Sequence, residues 1–393
     1  MDTTRKSRNR HDRDLTGSDS APAGDATHTA APSPDAIGEP VERPAVEASA
    51  AGRGVIEWPD RKPASPLWTP RRRCLVTGSA GFIGSRLARR LLDDGWQVTG
   101  VDALTDSYDI SEKAARAVEL ARHPRYQHVY GDLVDLSLDS LLRGVEVVFH
   151  LAGRPGVRPS FSLEQRYRHD NVDATVRLVD ASRASASVRR LVYASSSSIY
   201  GNAALPFRED TPPAPISPYG RTKLEAERYC LEESGPSLGC VALRYFTVYG
   251  PGQRPDLALR RFAEAALLDR PLHLFGDGRQ SRDFTYVDDI VEATYRAAEI
   301  PTAGIAINVG GGSRVSLLQV FTLLEELVGR PLRVEVEPVA PGDVRHTAAD
   351  LSRARQILEF VPRTSFAEGF AQEVEWVRRR IQDMGGDAHA IVA

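Results

Sequence analysis

A short strand, a glycine-rich turn and a helix follow one another near the start of the apolar part of the chain. Residues 73–77 are an apolar run typical of a buried strand, and the apolar side chains of 83–91 recur at helical spacing. Gly78, Gly81 and Gly84 lie between them, spaced G-x-x-G-x-x-G and not as the commoner G-x-G-x-x-G. Glycines let a backbone approach a pyrophosphate, and the N–H groups of a helix N-terminus attract its charge. The order predicts the dinucleotide-binding turn of a parallel α/β sheet, with a tight turn that binds no ligand as the alternative.

A second strand is predicted at 97–101 and ends at Asp102, about twenty residues beyond the glycine turn. A carboxylate in this place accepts hydrogen bonds from the ribose hydroxyls of a dinucleotide and repels a 2′-phosphate. Asp102 therefore predicts that the cofactor is NAD and not NADP.

The alternation of strands and helices predicts a Rossmann-type doubly wound parallel sheet with a smaller C-terminal substrate-binding domain. Strands are predicted near 73–77, 97–101, 126–130, 145–150, 189–194 and 240–245, and later helices near 256–269, 287–299, 316–328 and 365–381. We expect an NAD-binding domain at 71–250 and a substrate-binding domain at 251–382, interleaved with the first. The second domain should lie over the carboxyl ends of the strands, where open α/β sheets bind ligands.

The two ends of the chain differ from the rest in composition. Residues 1–70 are rich in Ala, Pro, Asp, Ser and Thr and have almost no large apolar side chain before Trp58. Such a segment cannot bury enough surface to offset its ordering entropy, so a disordered tail without independent function is predicted. A basic arm formed by Arg5, Lys6, Arg8 and Arg10 is the alternative. Residues 383–393 are expected to be flexible.

Charge and composition argue against several classes of protein. The net charge of −3 and a pI near 6.3 disfavour binding to nucleic acid or to an anionic membrane. The three cysteines and nine histidines have no disulfide-framework or metal-ligand spacing, so we predict no metal and a reducing, cytoplasmic location. No apolar run approaches the length of a membrane span.

A serine run and a tyrosine–lysine pair supply candidate catalytic groups. Residues 195–198 are four serines, and Tyr219 precedes Lys223 by one helical turn, so the two side chains share a helix face. A nearby ammonium favours the phenolate, which lets a tyrosine act as a base near neutrality, and a serine hydroxyl can hold the reacting alcohol. Tyr219, Lys223 and Ser196 are therefore the predicted catalytic residues. The alternative is a surface pair with no chemical role.

From Arg72 to about Ile381 the chain resembles extended short-chain dehydrogenases/reductases, in the branch of NAD-dependent nucleotide-sugar epimerases and dehydratases. The matching stretches are Gly78–Gly84, Gly131–Leu133, His150–Gly153, Asn171-Val172, the serine run, Tyr219 with Lys223, Arg244–Thr247, Arg282–Phe284 and Asn308–Gly310. The resemblance implies that Asp132 and Leu133 contact the adenine and that Lys223 also binds the nicotinamide ribose. It further implies a homodimer that pairs helices at 163–184 and 217–235.

The resemblance extends the predicted cofactor site along the whole first domain. The expected NAD-binding residues are Gly78, Gly81, Phe82, Ile83, Gly84, Asp102, Asp132, Leu133, Leu151, Ala152, Gly153, Asn171, Tyr219 and Lys223. Two of the matching positions keep structural alternatives. Asp132 could cap a turn, and His150, which ends the apolar strand at 145–150, could be a hydrogen-bonded core histidine.

The resemblance also narrows the reaction. Aligned on Tyr200, Ser196 takes the place of the family's catalytic Ser/Thr, and the next two positions hold Asp and Glu in 4,6-dehydratases. Here they are Ser197 and Ser198, which cannot serve as a general acid or base near neutral pH. This disfavours dehydration and the family's usual decarboxylation, and leaves 4-epimerisation through a 4-keto sugar.

The motif Arg244-Tyr245-Phe246-Thr247 makes the chain most similar to UDP-glucuronate 4-epimerases. By that resemblance Thr247, Ser197, Ser198 and Arg158 would contact the C6 carboxylate, and hydroxyl and guanidinium donors suit that charge. Arg254 and Arg282 are also expected to bind the UDP-sugar substrate, Arg282 at the diphosphate. Ala340 stands where many relatives have arginine.

Other functions stay open from the sequence. They are a UDP-glucose/galactose or other UDP/TDP-sugar epimerase, then a UDP-glucuronate decarboxylase or a 4,6-dehydratase. A non-catalytic NAD-binding sensor or scaffold is the alternative from another class of protein.

Overall fold

The computed structural model describes residues 72–338, 344–383 and 385. The predicted tail at 1–70, Ala340 and nearly all of the predicted flexible C-terminus lie outside these residues. The strands are β1 (Arg73–Thr77), β2 (Gln97–Asp102), β3 (Tyr126–Tyr130), β4 (Val147–His150), β5 (Arg190–Ser196), β6 (Gly239–Tyr245), β7 (Thr247–Tyr249), β8 (Leu272–Phe275), β9 (Ser281–Tyr286), β10 (Ile305–Val309), β11 (Arg314–Ser316) and β12 (Val334–Glu337). The helices are α1 (Phe82–Asp93), α2 (Ile110–Ala121), α3 (Leu138–Leu141), α4 (Glu164–Arg168), α5 (Ala174–Ala184), α6 (Pro218–Glu232), α7 (Ala258–Leu267), α8 (Val287–Ala297), α9 (Leu317–Val328), α10 (Ser352–Leu358) and α11 (Phe366–Asp383).

Seven parallel strands form the main sheet in the order β3-β2-β1-β4-β5-β6-β10. The strand numbers increase away from β1 on one side and away from β4 on the other. The chain connections therefore diverge between β1 and β4. Such a switch point opens a crevice at the carboxyl ends of the strands, where α/β sheets bind ligands. The predicted Rossmann-type doubly wound sheet is confirmed.

The main sheet is buried on both faces, which explains its nearly continuous apolar strands. Within β1, Cys74 and Val76 pack into one core with Trp96 and Phe149, while Leu75 points into a second core. Helices on each side cover these cores, as doubly wound folds require.

A smaller group of elements follows β6. Strands β11-β9-β7 form a three-stranded sheet and β12-β8 a two-stranded one. Both pack with α7, α9 and α11 around aromatic side chains such as Phe262, Phe321 and Phe370. Strand β10 returns to the main sheet, so the residues after 250 contribute to both parts.

The strands and later helices named from the sequence are each present and end within about two residues of their predicted bounds. Helices α2 and α10 are not predicted from the sequence. None of the helices in the described ranges is long and apolar enough to cross a membrane.

Candidate active site

A cavity of about 440 Å³ lies at the carboxyl ends of the main-sheet strands. It brings together nearly all of the predicted site residues. Those that line it are Gly78, Gly81, Phe82, Ile83, Gly84, Asp102, Asp132, Leu133, Leu151, Ala152, Gly153, Asn171, Ser196, Ser197, Ser198, Tyr219, Lys223, Thr247 and Arg254. Arg158 and Arg282 are outside this lining.

The glycine turn forms a tightly packed cradle at the start of α1. Gly78 has a φ of +69°, and a Cβ built on it would lie 2.9 Å from the Ala152 nitrogen. A Cβ on Gly84 would lie 2.1 Å from the Gly78 carbonyl oxygen, so neither position tolerates a side chain. In the described structure no side chain caps the helix at Gly81, which leaves its first N–H groups for an anion. The turn thus fits the pyrophosphate of a dinucleotide.

Two aspartates line the cofactor end of the cavity. Asp102 accepts hydrogen bonds from the backbone nitrogens of Ala80, at 3.1 Å, and Leu104, at 2.8 Å. A carboxylate has about four acceptor sites, so ribose hydroxyls can still donate to it. Asp132 accepts from the Val134 nitrogen at 3.0 Å, so it caps a turn as well as facing the cavity.

His150 is a core residue that supports the cavity from behind. Its Nδ1 lies 2.7 Å from the Thr77 hydroxyl and its Nε2 lies 2.9 Å from the Thr175 hydroxyl. Burial, aided by the charge of Lys223, lowers the pKa of His150 to about 3, so the ring is neutral. The Thr77 hydroxyl also accepts a hydrogen bond from the Ala152 nitrogen at 3.1 Å. The structural alternative for His150 is therefore the one that the contacts support.

Asn171 joins the cofactor side of the cavity to helix α6. It lies in a π-helical turn, His169–Asp173, that connects α4 and α5. Its side-chain oxygen accepts from the Arg154 nitrogen at 2.6 Å, and its amide donates to the Thr222 hydroxyl at 3.1 Å. Single π-turns of this kind occur frequently at functional sites.

Helix α6 begins at the cavity and carries the predicted catalytic pair. The Ser217 hydroxyl accepts a hydrogen bond from the Gly220 nitrogen at 3.1 Å, and proline occupies the first helical position. This cap fixes Tyr219 in the first turn and Lys223 one turn later. The Lys223 amine is buried and lies 4.2 Å from the centre of the Tyr193 ring.

The pKa of the Tyr219 phenol is raised, although a neighbouring ammonium alone would lower it. Burial raises its pKa, while a hydrogen bond from Ser196 and the positive charge of Arg254 lower it by less. The net shift of the Tyr219 pKa is therefore upward, opposite to the direction that a neighbouring ammonium favours. Desolvation of the phenolate outweighs the favourable charges.

The Lys223 amine is itself shifted. Burial lowers its pKa to about 7, and the nearby groups Cys230 and Glu227 oppose that shift. Near neutral pH the amine is thus divided between its charged and neutral forms. Only the charged form can favour the Tyr219 phenolate.

The end of β5 presents hydroxyl groups to the cavity. The Ser196 hydroxyl lies 3.2 Å from the Ser198 hydroxyl and accepts a hydrogen bond from the Ser198 nitrogen at 3.2 Å. Ser197 begins a short 3₁₀ turn and also lines the cavity. This wall offers hydrogen-bond donors and carries no general acid or base.

The predicted arginines occupy different places. Arg254 lines the cavity, is held by Asp256 at 2.9 Å, and is close enough to Tyr219 to lower its pKa. The Arg158 guanidinium lies over the Phe275 ring at 4.4 Å, and Arg282 donates to the Ser281 carbonyl oxygen at 3.1 Å. Of the three, Arg254 is the one beside the catalytic pair.

Several lining residues are not predicted from the sequence. They come from the segment after β2 and include Thr105, Ser107, Tyr108 and Lys113. The Lys113 amine donates to the Thr105 carbonyl oxygen at 2.6 Å and to the Ser107 hydroxyl at 3.1 Å. One sequence signal pointed to it, because Lys113 is one of only four lysines in the chain.

One group of side chains in the described residues has metal-ligand geometry. Oxygen or nitrogen atoms of Asp132, His169 and Asp170 lie within 4.8 Å of one another. Asp170 is already paired with Arg154 at 2.7 Å and Arg166 at 3.1 Å. These two positive charges oppose a cation, so the group carries no metal assignment.

Comparison with known proteins decides the family. The model of the NAD dependent epimerase/dehydratase family matches residues 74–310. The chain belongs to this family. The predicted use of NAD and the predicted epimerase class are thereby confirmed.

Individual relatives cover the same part of the chain. An uncharacterized UDP-glucose epimerase, YtcB, from Bacillus subtilis is 40% identical over 309 residues, which are 78% of this chain and 98% of the relative. A UDP-glucuronate 4-epimerase from Thermodesulfobacterium geofontis is 38% identical over 315 residues, covering 78% and 97%. The crystal structure of UDP-glucuronic acid 4-epimerase from Bacillus cereus, with UDP-glucuronic acid and NAD, is 37% identical with a TM-score of 0.76. It covers 78% of this chain and 99% of that one.

Proposed function

We propose that this epimerase interconverts UDP-glucuronate and UDP-galacturonate through a 4-keto intermediate. The proposal rests on one observation: hydrogen-bond donors line the same cavity as the candidate base, Tyr219. Tyr219 shares the cavity lining with hydroxyl donors from Ser197, Ser198 and Thr247, and the guanidinium of Arg254 is close enough to act on its pKa. This donor set suits a sugar with a carboxylate, and relatives that carry the same activity support the choice.

Tyr219 is the proposed proton acceptor for the C4 hydroxyl. Ser196 hydrogen-bonds the phenol and orients the reacting group, and the charged form of Lys223 favours the phenolate. NAD, when bound, supplies the hydride acceptor and, in its oxidised form, a positive charge in the cavity. Because burial raises the pKa of Tyr219, the hydrogen bond from Ser196 and the positive charge of Arg254 are the groups that favour its phenolate.

Oxidation of UDP-glucuronate at C4 makes the sugar prone to decarboxylation. The hydrogen-bond donors of the cavity can restrain this side reaction. The product is a β-keto acid, which loses carbon dioxide when the carboxylate stands perpendicular to the carbonyl plane. Donors fixed on β7 and at the end of β5 would hold the carboxylate near that plane. We assign the arginine donor to Arg254, in place of the earlier expectation of Arg158, because Arg254 lines the cavity.

A substrate comparison tests the proposed reaction. The wild-type protein is incubated with UDP-glucuronate, UDP-galactose and TDP-glucose, and the products are followed by NMR. We expect UDP-galacturonate as the main product and little UDP-pentose. Mostly UDP-pentose, or a preference for UDP-galactose, would contradict the proposal.

A set of three variants tests the carboxylate assignment. Thr247→Ala and Arg254→Ala should raise KM for UDP-glucuronate by about tenfold or more, the scale of a lost hydrogen bond to a charge. Both should also raise the fraction of decarboxylated product. Arg158→Ala is the matched control, and a larger effect from Arg158→Ala than from Arg254→Ala would restore the original assignment.

A UDP-glucose/UDP-galactose 4-epimerase is the second candidate, favoured by the name of the Bacillus subtilis relative. The same incubation separates the two, since this activity would convert UDP-galactose faster. Absence of turnover on every nucleotide sugar would favour the non-catalytic NAD-binding alternative.

We also propose a homodimer through the surface of α4, α5 and α6. Exposed ion pairs, Arg168–Glu225 at 2.9 Å and Arg221–Glu164 at 3.3 Å, join α4 to α6 and order this surface. Light scattering of the purified protein tests the assembly, and a monomeric mass at micromolar concentration would contradict it.

A further inference from the structure

A buried carboxylate that the proposed chemistry does not use lies directly behind the catalytic pair. Glu227 is on α6, one helical turn after Lys223 and two turns after Tyr219, and its exposed fraction is 1%. Residues at these intervals share a helix face. A charged side chain this deeply buried is costly unless it is paired and hydrogen-bonded.

Glu227 is paired with the ends of two strands. Its carboxylate accepts a hydrogen bond from the Ser195 hydroxyl on β5. It also accepts from Arg244 on β6, through Nη2 at 2.6 Å and Nε at 3.1 Å. Ser195 and Arg244 are directly opposite one another in the sheet register. One carboxylate therefore holds α6 against both strands.

These strands carry cavity residues directly beyond the contact. Ser196 follows Ser195, and Thr247 lies three residues after Arg244. Arg244 is fixed further by the Tyr200 hydroxyl, 2.7 Å from its Nη1. The Glu227 carboxylate thus links the Tyr219 helix to the two strands that lead to Ser196 and Thr247.

The same carboxylate acts on Lys223. Burial favours the neutral amine, and Glu227 is one of two nearby groups that raise the pKa of Lys223. The other is Cys230, whose buried thiol has its pKa raised well above the ordinary value and is neutral at physiological pH. Glu227 is then the carboxylate of this helix that acts on Lys223, one helical turn away.

Each element that packs against Glu227 and Lys223 contributes titratable or charged groups to their surroundings. They are His150 from β4, Tyr193 from β5, Tyr200 from the turn after β5, Tyr219 and Cys230 from α6, and Arg244 from β6. His150 is neutral and the tyrosines are protonated near neutrality, because burial shifts each pKa away from the charged form.

We propose that Glu227 is a positioning residue of the active site. Its carboxylate sets α6 against β5 and β6 and, one helical turn from Lys223, favours the cationic form of that amine. The inference rests on the proposed roles of Tyr219 and Lys223 in proton transfer. It predicts a charge effect that a purely structural ion pair with Arg244 would not produce.

The first experiment measures the titration of Lys223 by NMR. The chain has only four lysines, so protein labelled with ¹³C at the lysine ε-carbon gives few NMR signals, and Lys223→Arg assigns one of them. We expect the Lys223 titration in Glu227→Gln to move to lower pH by at least about half a unit, since a neighbouring negative charge is lost. Glu232→Gln, at the exposed end of the same helix, makes the same charge change and should leave the titration unmoved.

Activity gives the second readout, with whichever UDP-sugar the wild type converts. The rate should fall as Lys223 loses its proton, so the alkaline limb of the kcat profile should shift to lower pH in Glu227→Gln. The kcat should drop about tenfold or more with a smaller change in KM, as expected for displaced catalytic groups.

A double variant separates the effect of the lost charge from a loss of stability. Glu227→Gln leaves Arg244 buried without its partner, whereas Glu227→Gln/Arg244→Gln removes both charges. In the double variant, Lys223 should still titrate at a lower pH than in the wild-type protein. An unmoved Lys223 titration in either folded variant would overturn the proposal whatever the substrate. A wild type without turnover would overturn the proposed function but not this electrostatic effect.

Discussion

At the scale of single residues, the decisive group is Tyr219. Tyr219→Phe removes the hydroxyl that we propose as acceptor of the C4 proton and leaves the ring in place against Tyr167, whose ring centre lies 6.2 Å away. We expect kcat to fall by at least about a hundredfold, the scale of a lost general base. NAD content and UDP-sugar affinity, measured by absorbance and calorimetry, should change little. Retention of most of the activity would show that another group takes the proton.

The residues proposed to carry the chemistry are largely readable from the sequence, because their motifs are local. Gly78, Ser196 and Tyr219 each belong to a short pattern with one structural context. The choice between Arg158 and Arg254 is not readable, since it depends on the paths of two loops that meet only in the folded chain.

The pKa values of the catalytic pair also escape sequence reasoning. Spacing predicts that Tyr219 and Lys223 share a helix face, and the structure confirms that placement. Burial sets the direction of both shifts, and burial depends on the elements that enclose the helix.

At the scale of elements, helix α11 positions the loop after β7 through a buried carboxyl group. Glu373 accepts a hydrogen bond from the Gly250 nitrogen at 3.1 Å, and its second oxygen has no partner among the described residues. Burial raises its pKa from 4.5 to about 8. The protonated form is therefore the one that the folded protein favours.

This shift predicts how stability depends on pH. Since the folded pKa is the higher one, the stabilisation is complete below 4.5 and is lost as pH rises towards about 8. Glu373→Gln mimics the neutral acid and should remove this loss, at most about 1.4 kcal/mol per pH unit. Unfolding free energies at both ends of the window check it, with Glu375→Gln on the same helix as control. Parallel pH dependence in wild type and Glu373→Gln would contradict the assignment.

Helix α2 shows why some elements cannot be predicted from apolar spacing. Its buried face includes Glu112 and Lys113 beside Ala117 and Leu120. A charged residue on an inner face removes the apolar repeat that identifies a helix. The strands and the remaining long helices keep that repeat, so their bounds are predicted closely.

At the scale of the whole molecule, Glu112 connects the cofactor side to the C-terminal helices. It accepts from Arg260 on α7 at 2.7 Å and from Arg380 on α11 at 2.7 Å. Arg116, one turn further along α2, donates to the Gly252 carbonyl oxygen at 2.8 Å and to the Tyr108 hydroxyl at 2.9 Å. Tyr108 lines the cavity, so this network ties one wall of the cofactor site to the elements after β7.

The network predicts that cofactor retention depends on contacts between the two parts of the fold. Glu112→Gln removes one of the two carboxylates that pair with the buried Arg260, which should cost up to about 3 kcal/mol of unfolding free energy. NAD should also dissociate faster, because Tyr108 and its neighbours are less firmly held. Thermal unfolding and the rate of NAD release into an apo-enzyme trap measure the two effects. Glu119→Gln on the same helix removes only an exposed pair with Arg89 and should change neither. Faster release from Glu119→Gln, or unchanged release from Glu112→Gln, would mean that α2 holds the cofactor without help from α7 and α11.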